Sequence, residues 1–268
     1  MIRKVDLLSL TKKEGFNFFY SLLKEIEADD PNGLVKIADN MIAHGSDPKR
    51  NEVQDAWDES LKNESPDYSI YDYDLYLSEA WICYEVYSKK YLKEIQKPNT
   101  LPPHGVFHNL KDAKKVVDLG NGLGVTTAAL TTLFPNAQVI GTNVEGSRQY
   151  ELASKLGAVY GFEMAGTLDQ VGDGVDFVFA SEYFEHFQKP MEHIFEVIEA
   201  LKPKQILMAN TFSQQSLGHF YFYEHNGESI PGKATGKQFN NYLRGLGYEK
   251  IKTKLWNNRP AYWVKVAK

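Results

Sequence analysis

Apolar positions in the first hundred residues recur at helical spacing. Phe16, Phe19, Tyr20, Leu23 and Ile26 form one stripe, preceded by Thr11-Lys12-Lys13-Glu14, whose hydroxyl and carboxylate are spaced to cap a helix start. Asp29-Asp30-Pro31-Asn32-Gly33 breaks that helix. Leu34, Ile37, Ala38, Met41 and Ile42 make a second stripe, and Gly45 ends it. Asp47-Pro48 caps and opens a third helix carrying Val53, Trp57 and Leu61. A fourth runs from about Asp74 to Ile95, with Leu77, Trp81, Tyr84, Tyr91 and Ile95 on one side. Lys97 to Pro103, with three prolines, reads as a linker.

Beyond residue 114 the period changes. Short apolar runs at Lys115–Leu119, Gln138–Asn143, Ala158–Phe162, Val175–Ala180 and Gln205–Thr211 predict strands. Helical segments at Thr126–Phe134, Ser147–Leu156 and Met191–Leu201 alternate with them, which implies a parallel sheet covered on both faces. After a helix over Lys237–Leu246, Tyr248–Trp256 and Ala261–Val266 alternate with period two around Asn257-Asn258. That pattern predicts an antiparallel hairpin closing the sheet. The expected fold is therefore α/β: a doubly wound, mostly parallel seven-stranded sheet ending in an antiparallel hairpin. The chain divides into an N-terminal helical region, 1–112, and an α/β domain, 113–268.

Composition narrows the setting. No apolar run approaches the ~20 residues that cross a bilayer, and charge follows Leu7-Leu8 too soon for a signal-peptide core. A single cysteine, Cys83, forbids an internal disulfide or a multi-cysteine metal site. The expectation is a cytoplasmic protein without membrane contact, and the net charge of −5 supplies no global attraction to nucleic acid.

The most informative stretch is Val116-Val117-Asp118-Leu119-Gly120-Asn121-Gly122-Leu123-Gly124-Val125. A buried strand runs into alternating glycines and then a helix, a design that lets backbone approach a ligand closely. Val125 stands where a dinucleotide-binding loop has its third glycine, and Asp118 would sit badly beside a diphosphate. A ligand carrying an ammonium group and a sulfonium fits better. The segment resembles motif I of the class I S-adenosylmethionine (SAM)-dependent methyltransferases. The resemblance extends over about residues 114–268 and includes the terminal hairpin.

That resemblance implies SAM as cofactor, held around its methionine portion by Asp118, Gly120, Asn121 and Gly122. The ribose would meet the end of strand two, where Asn143 replaces the usual carboxylate and Val144 and Glu145 follow. Glu163 is the expected neighbour of the adenine. After strand four, Ser181-Glu182-Tyr183-Phe184-Glu185-His186 resembles a segment of small-molecule methyltransferases, with Ser181 and Glu182 facing the methyl group. The helices before the sheet and the insertion Ser213–Gly236 would cap the acceptor. Candidate catalytic groups are His186, Glu182 and His219, with His225 and His104 as further loop histidines. His186 has three readings: a general base, a cation ligand with Glu182 and Glu185, or a structural histidine.

The resemblance thus implies methylation of a small-molecule acceptor, at oxygen or at nitrogen, without a resident metal and with a homodimer as an admissible assembly. A nucleic-acid methyltransferase is the first alternative, resting on Lys250, Lys252, Lys254, Arg259 and Lys265 in the last hairpin. A non-catalytic SAM-binding protein is the second.

Overall fold

The computed structural model describes residues 2–96, 110, 112–251 and 260–266. Helices α1 (Lys12–Glu25), α2 (Pro31–His44) and α3 (Pro48–Lys62) start at Thr11, Asp30 and Asp47, each side chain accepting a bond from the first turn. A short 3-10 turn, Tyr68–Asp72, leads into α4 (Leu75–Cys83). A π-helical turn, Tyr84–Ser88, carries the chain on into α5 (Lys89–Gln96).

The α/β part comprises β1 (Lys115–Leu119), α6 (Val125–Leu133), β2 (Gln138–Thr142), α7 (Arg148–Tyr160), β3 (Glu163–Ala165), α8 (Leu168–Val171) and β4 (Phe177–Ser181). It continues through α9 (Pro190–Leu201), β5 (Gln205–Ala209), β6 (Phe222–His225), β7 (Glu228–Pro231), α10 (Gly232–Gly245), β8 (Tyr248–Ile251) and β9 (Pro260–Lys265). One seven-stranded sheet has the order β3-β2-β1-β4-β5-β9-β8. Its first five strands pair in parallel, and β9 pairs antiparallel with both β5 and β8. The expected doubly wound sheet with a closing antiparallel pair is the one observed.

Strand alternation divides the core in two. Val116, Phe177, Phe179 and Leu207 face one side, where they share an apolar cluster with α1, α2, α4, α5, α6 and α7. Val117, Leu119, Val178, Ala180 and Met208 face the other, against α9 and α10, and Trp57 of α3 joins them. The N-terminal helices are thus continuous with the core of the sheet. Phe19 stacks on Trp81 at 4.9 Å, Arg148 Nη2 donates to the Ile26 carbonyl at 2.7 Å, and Lys155 Nζ to that of Glu25 at 2.9 Å.

Three expectations change. The predicted strand Ala158–Phe162 lies mostly in α7: Leu152, Leu156 and Tyr160 continue one buried helical stripe, and Gly161 stops it in the left-handed region. The third strand follows, only three residues long at the sheet edge. The insertion contains the β6–β7 hairpin, turned by Asn226 (φ 52°) and Gly227 (φ 78°); positive φ at both positions defines the tight turn that matches strand twist. Helix α10 begins at Gly232 rather than Lys237, because Thr235 is buried on the same face as Phe239 and Leu243. The predicted linker, the Asn257-Asn258 turn, His104, Lys252, Lys254 and Arg259 lie outside the described residues.

Candidate active site

β1 ends in a turn held open by glycines. Gly120 and Gly122 have φ of 63° and 52°, and both are closely covered. A Cβ on Gly120 would collide with the Tyr183 ring, and one on Gly122 would lie 3.1 Å from the Ala80 Cβ of α4. β2 steadies the loop from the side: Thr142 accepts from the Gly120 and Asn121 amides, and Asn143 Nδ2 donates to the Gly122 carbonyl at 3.1 Å. Asn121 Nδ2 donates to Thr127 Oγ1 at 3.0 Å, and Thr127 Oγ1 donates to Asp118 Oδ2 at 2.7 Å. Asp118 is 2% exposed. Burial pushes its carboxyl up to about 7, against which the Thr127 bond pulls weakly. A cation brought to this loop would favour the ionised form.

The expected ribose and adenine positions fare differently. The Asn143 amide is engaged with the glycine loop and accepts from the Val144 amide at 2.9 Å. Val144 is 73% exposed beside it, and Glu145 lies against Gly166. Glu163 does not follow the third strand but opens it. Its carboxylate accepts from Gln138 Nε2 at 3.0 Å, and Gln138 pairs with Lys115, the first residue of β1. Glu163 therefore belongs to the amino-terminal edge of the sheet, away from the glycine loop. The expectation rests on a third strand over 158–162, which the structure places later, at Glu163–Ala165.

At the end of β4, Ser181 Oγ is buried and makes no hydrogen bond among the described residues. Glu182 adopts φ 52°, a left-handed conformation that non-glycine residues hold only against a cost of about 1–3 kcal/mol. Its amide donates to the Ala209 carbonyl at 2.7 Å, and its Oε2 accepts from Thr211 Oγ1 at 3.1 Å. Glu185 is fully buried and accepts from the Thr211 amide at 2.7 Å. Burial, the Glu182 charge and a hydrogen bond between the two carboxyl groups hold Glu185 well above the usual carboxylate range. Glu185→Gln is accordingly expected to unfold at nearly the wild-type urea concentration at pH 5. Glu185→Ala, which strands the Thr211 amide, should lose about 1–3 kcal/mol.

The structure brings His186 and His219 together, with ring centroids 4.9 Å apart. His186 Nδ1 is 3.3 Å from the Tyr71 hydroxyl, and the ring donates to the Gly218 carbonyl. Burial, then the nearby His219, hold it at about 3, so at neutral pH it is an uncharged and weak base. His219 Nδ1 donates to the Gln214 carbonyl at 3.0 Å. Among the described residues no three His, Cys, Asp or Glu side chains converge as a metal ion would require. His225 is elsewhere, on β6 against Glu192 of α9.

Above this region α3 and the insertion are sewn together. Trp57 Nε1 donates to the His219 carbonyl at 2.8 Å, Gln215 Nε2 to Asp58 at 2.8 Å, and Arg50 Nη2 to Ser216 Oγ at 3.2 Å. Arg50 also pairs with Glu79 of α4 at 2.6 Å, both largely buried. Cys83 of α4 faces the carboxyl groups: burial, then the charges of Glu182, Glu79 and Glu185, hold its thiol well above the ordinary value. That environment favours the protonated thiol over the thiolate. Tyr71 and Tyr76 pack edge to face at 4.7 Å below the roof, whereas Tyr68 and Tyr73 are about half exposed at its rim.

Sequence reasoning missed Thr142, Ala80, Gln149 and Tyr183, all of which touch the glycine loop. Only Thr142 had a local signal, as the last residue of the second strand. Of the basic residues expected in the last hairpin, Lys250 and Lys265 are described, and both are exposed. Lys250 lies 5.7 Å from the Trp263 ring and Lys265 4.7 Å from that of Tyr248. No described helix is long and apolar enough to cross a membrane.

No family model matches the sequence, and no curated protein does. Solved structures match in fold. An O-methyltransferase family protein from Burkholderia thailandensis aligns over 92% of this chain and 71% of its own, at 14% identity and a TM-score of 0.52. A candidate O-methyltransferase from Nostoc punctiforme aligns over 85% and 72%, at 15% identity and 0.51. The plantazolicin methyltransferase BpumL, solved with a pentazolic desmethyl analog and S-adenosylhomocysteine (SAH), aligns over 81% and 100%, at 12% identity and 0.51. The chain has the class I methyltransferase fold.

Proposed function

We propose that this protein is a SAM-dependent methyltransferase acting on a small-molecule acceptor, at oxygen or at nitrogen. The observation that carries the reading is the glycine loop at the carboxyl end of β1, whose Gly120 and Gly122 take positive φ and bear no Cβ of their own, at the place where open α/β sheets bind ligands. Two further features suit this cofactor. Asp118 is a buried carboxyl whose ionisation a cation would promote, and Ser181 offers a hydroxyl that makes no hydrogen bond among the described residues.

Asp118, Gly120, Asn121, Gly122 and Ser181 would hold the methionine portion, and Asn143, Val144 and Glu145 border the space left for the ribose. When bound, SAM supplies a methyl group activated by a positive sulfur. The residues before β1 and the insertion serve as the acceptor's cap. The seam between Trp57, Arg50 and the 215–219 loop would exclude water and fix the acceptor in line with the methyl group. Such a roof suits a small acceptor better than a polymer. For a hydroxyl acceptor, Glu182, directly after β4 and beside Ser181, is the group that would take the proton. His186, whose titration burial and the nearby His219 push down to about 3 and which is therefore neutral at pH 7, orients the Tyr71 side of the pocket.

Calorimetric titration with SAM and with SAH tests the donor site. Micromolar binding is expected for the wild type, with a loss of about hundredfold or more in Gly122→Val, since that side chain would both strain φ and press on Ala80. Failure of the intact wild-type protein to bind either compound would sink the proposal. Binding without turnover across a screen of hydroxyl and amine acceptors would favour the non-catalytic alternative.

A further inference from the structure

The ring of Tyr183 lies directly on the glycine loop, where a Cβ on Gly120 would strike its Cδ2 and Cε2 atoms. Several contacts fix it there. The phenol oxygen is 2.9 Å from His193 Nε2, and His193 Nδ1 is 3.2 Å from Glu196 Oε2. A carboxylate can only accept from Nδ1, so Nε2 is left as the acceptor for the phenol O–H. The imidazole stacks on Phe187 at 3.8 Å, and Phe184 and Phe187 each meet the Tyr183 ring edge to face at 5.0 Å. A carboxylate, an imidazole and a phenol thus run from α9 to the first glycine of the loop. Ala80 of α4 lies over the next loop glycine, Gly122. The slot that a donor at this loop would enter is thus bordered by an aromatic ring at Gly120 and a small α4 side chain at Gly122.

We propose that Tyr183 is a donor-positioning residue whose ring presses on whatever part of the donor enters this slot, and that His193 and Glu196 act through it by holding the ring in place. The inference rests on the methyltransferase reading. Because an aromatic ring attracts a cation through its quadrupole, the ring favours the sulfonium of SAM over the neutral sulfur of SAH. Tyr183 thereby helps to select fresh donor over spent product.

The test compares dissociation constants for SAM and SAH in wild type, Tyr183→Phe, Tyr183→Ala and His193→Gln, with circular dichroism and Tm as controls for folding. Tyr183→Phe keeps the ring but forfeits the bond to His193, so it should move the SAM-to-SAH ratio in the same direction as the loss of His193, by no more than about threefold. Tyr183→Ala should lose on the order of tenfold for SAM and clearly less for SAH, so that the preference between them shrinks. His193→Gln should shift the ratio in the same direction by a smaller factor. Should Tyr183→Ala not fold, Tyr183→Leu keeps the bulk without the ring and carries the same expectation. A folded Ala or Leu variant with an unchanged SAM-to-SAH ratio overturns the inference while leaving the donor site intact. Wild-type protein that binds neither ligand overturns the methyltransferase reading and this inference with it.

Discussion

Asp118→Asn is expected to stabilise the protein at pH 8 by up to about 4 kcal/mol, to converge with wild type as pH falls toward 4, and to weaken donor binding. The sign follows from proton counting. In the folded chain the Asp118 carboxyl titrates at about 7 instead of 3.8, chiefly because it is buried. Between those two values the folded state keeps a proton that the unfolded state has released, so wild-type stability falls as pH rises. The cost is complete above about 7, and three pH units at about 1.4 kcal/mol each give its upper size. Asparagine has no proton to lose, and its carbonyl can still accept from Thr127. Urea denaturation of both proteins at several pH values should show the gap widening with pH. A constant gap would mean that Asp118 is ionised throughout. If Asp118 serves a cationic donor, wild-type affinity for SAM should also rise as pH passes upward through 7, and the variant should lack that rise. Such a residue lowers the stability of the empty protein in exchange for a charge that matters only when the site is filled.

Much of this arrangement was legible in local sequence, and the exceptions have a common origin. The caps at Thr11 and Asp47 are each set by a side chain within three residues of the amide it serves, so sequence spacing suffices to find them, whereas the cap at Asp30 reads in sequence only as a helix break. The glycine loop is legible for the same reason, since positive φ is a property of single residues. Glu163 was misplaced because the helical stripe through Leu152, Leu156 and Tyr160 and a short apolar strand look alike over five residues. Only the left-handed Gly161 separates them. The β6–β7 hairpin had a local signal in Asn226-Gly227 that the surrounding histidines and aromatics obscured. Ala80 and Tyr183 had none. Their importance comes from where tertiary packing sets them, Ala80 42 residues before the Gly122 it covers and Tyr183 63 residues after the Gly120 it covers. The roles of His186 and His219 were open for a similar reason: proximity to each other, to Gly218 and to Trp57 is created by the fold.

The seam between α3 and the insertion gives the second large effect. Trp57 is fully buried, donates to the His219 carbonyl, and meets Phe220 edge to face at 5.5 Å. Trp57→Ala should cost about 3–5 kcal/mol through the cavity it leaves and the contacts it removes. Trp57→Phe keeps most of the apolar volume and forfeits the indole hydrogen bond, for a loss of about 1 kcal/mol. Thermal or urea unfolding measures both. The functional consequence separates cap from donor site. The glycine loop takes its support from Thr142, Asn143, Ala80 and Tyr183, none of which touches Trp57 in the hydrogen bonds or ring contacts described. SAM affinity of folded Trp57→Phe should therefore stay near wild type, while KM for the acceptor rises and kcat falls as the 215–219 loop loses its anchor. Equal losses of donor and acceptor binding would instead mean that α3 acts on the whole fold, and the residues before β1 would then be a structural buttress rather than a cap.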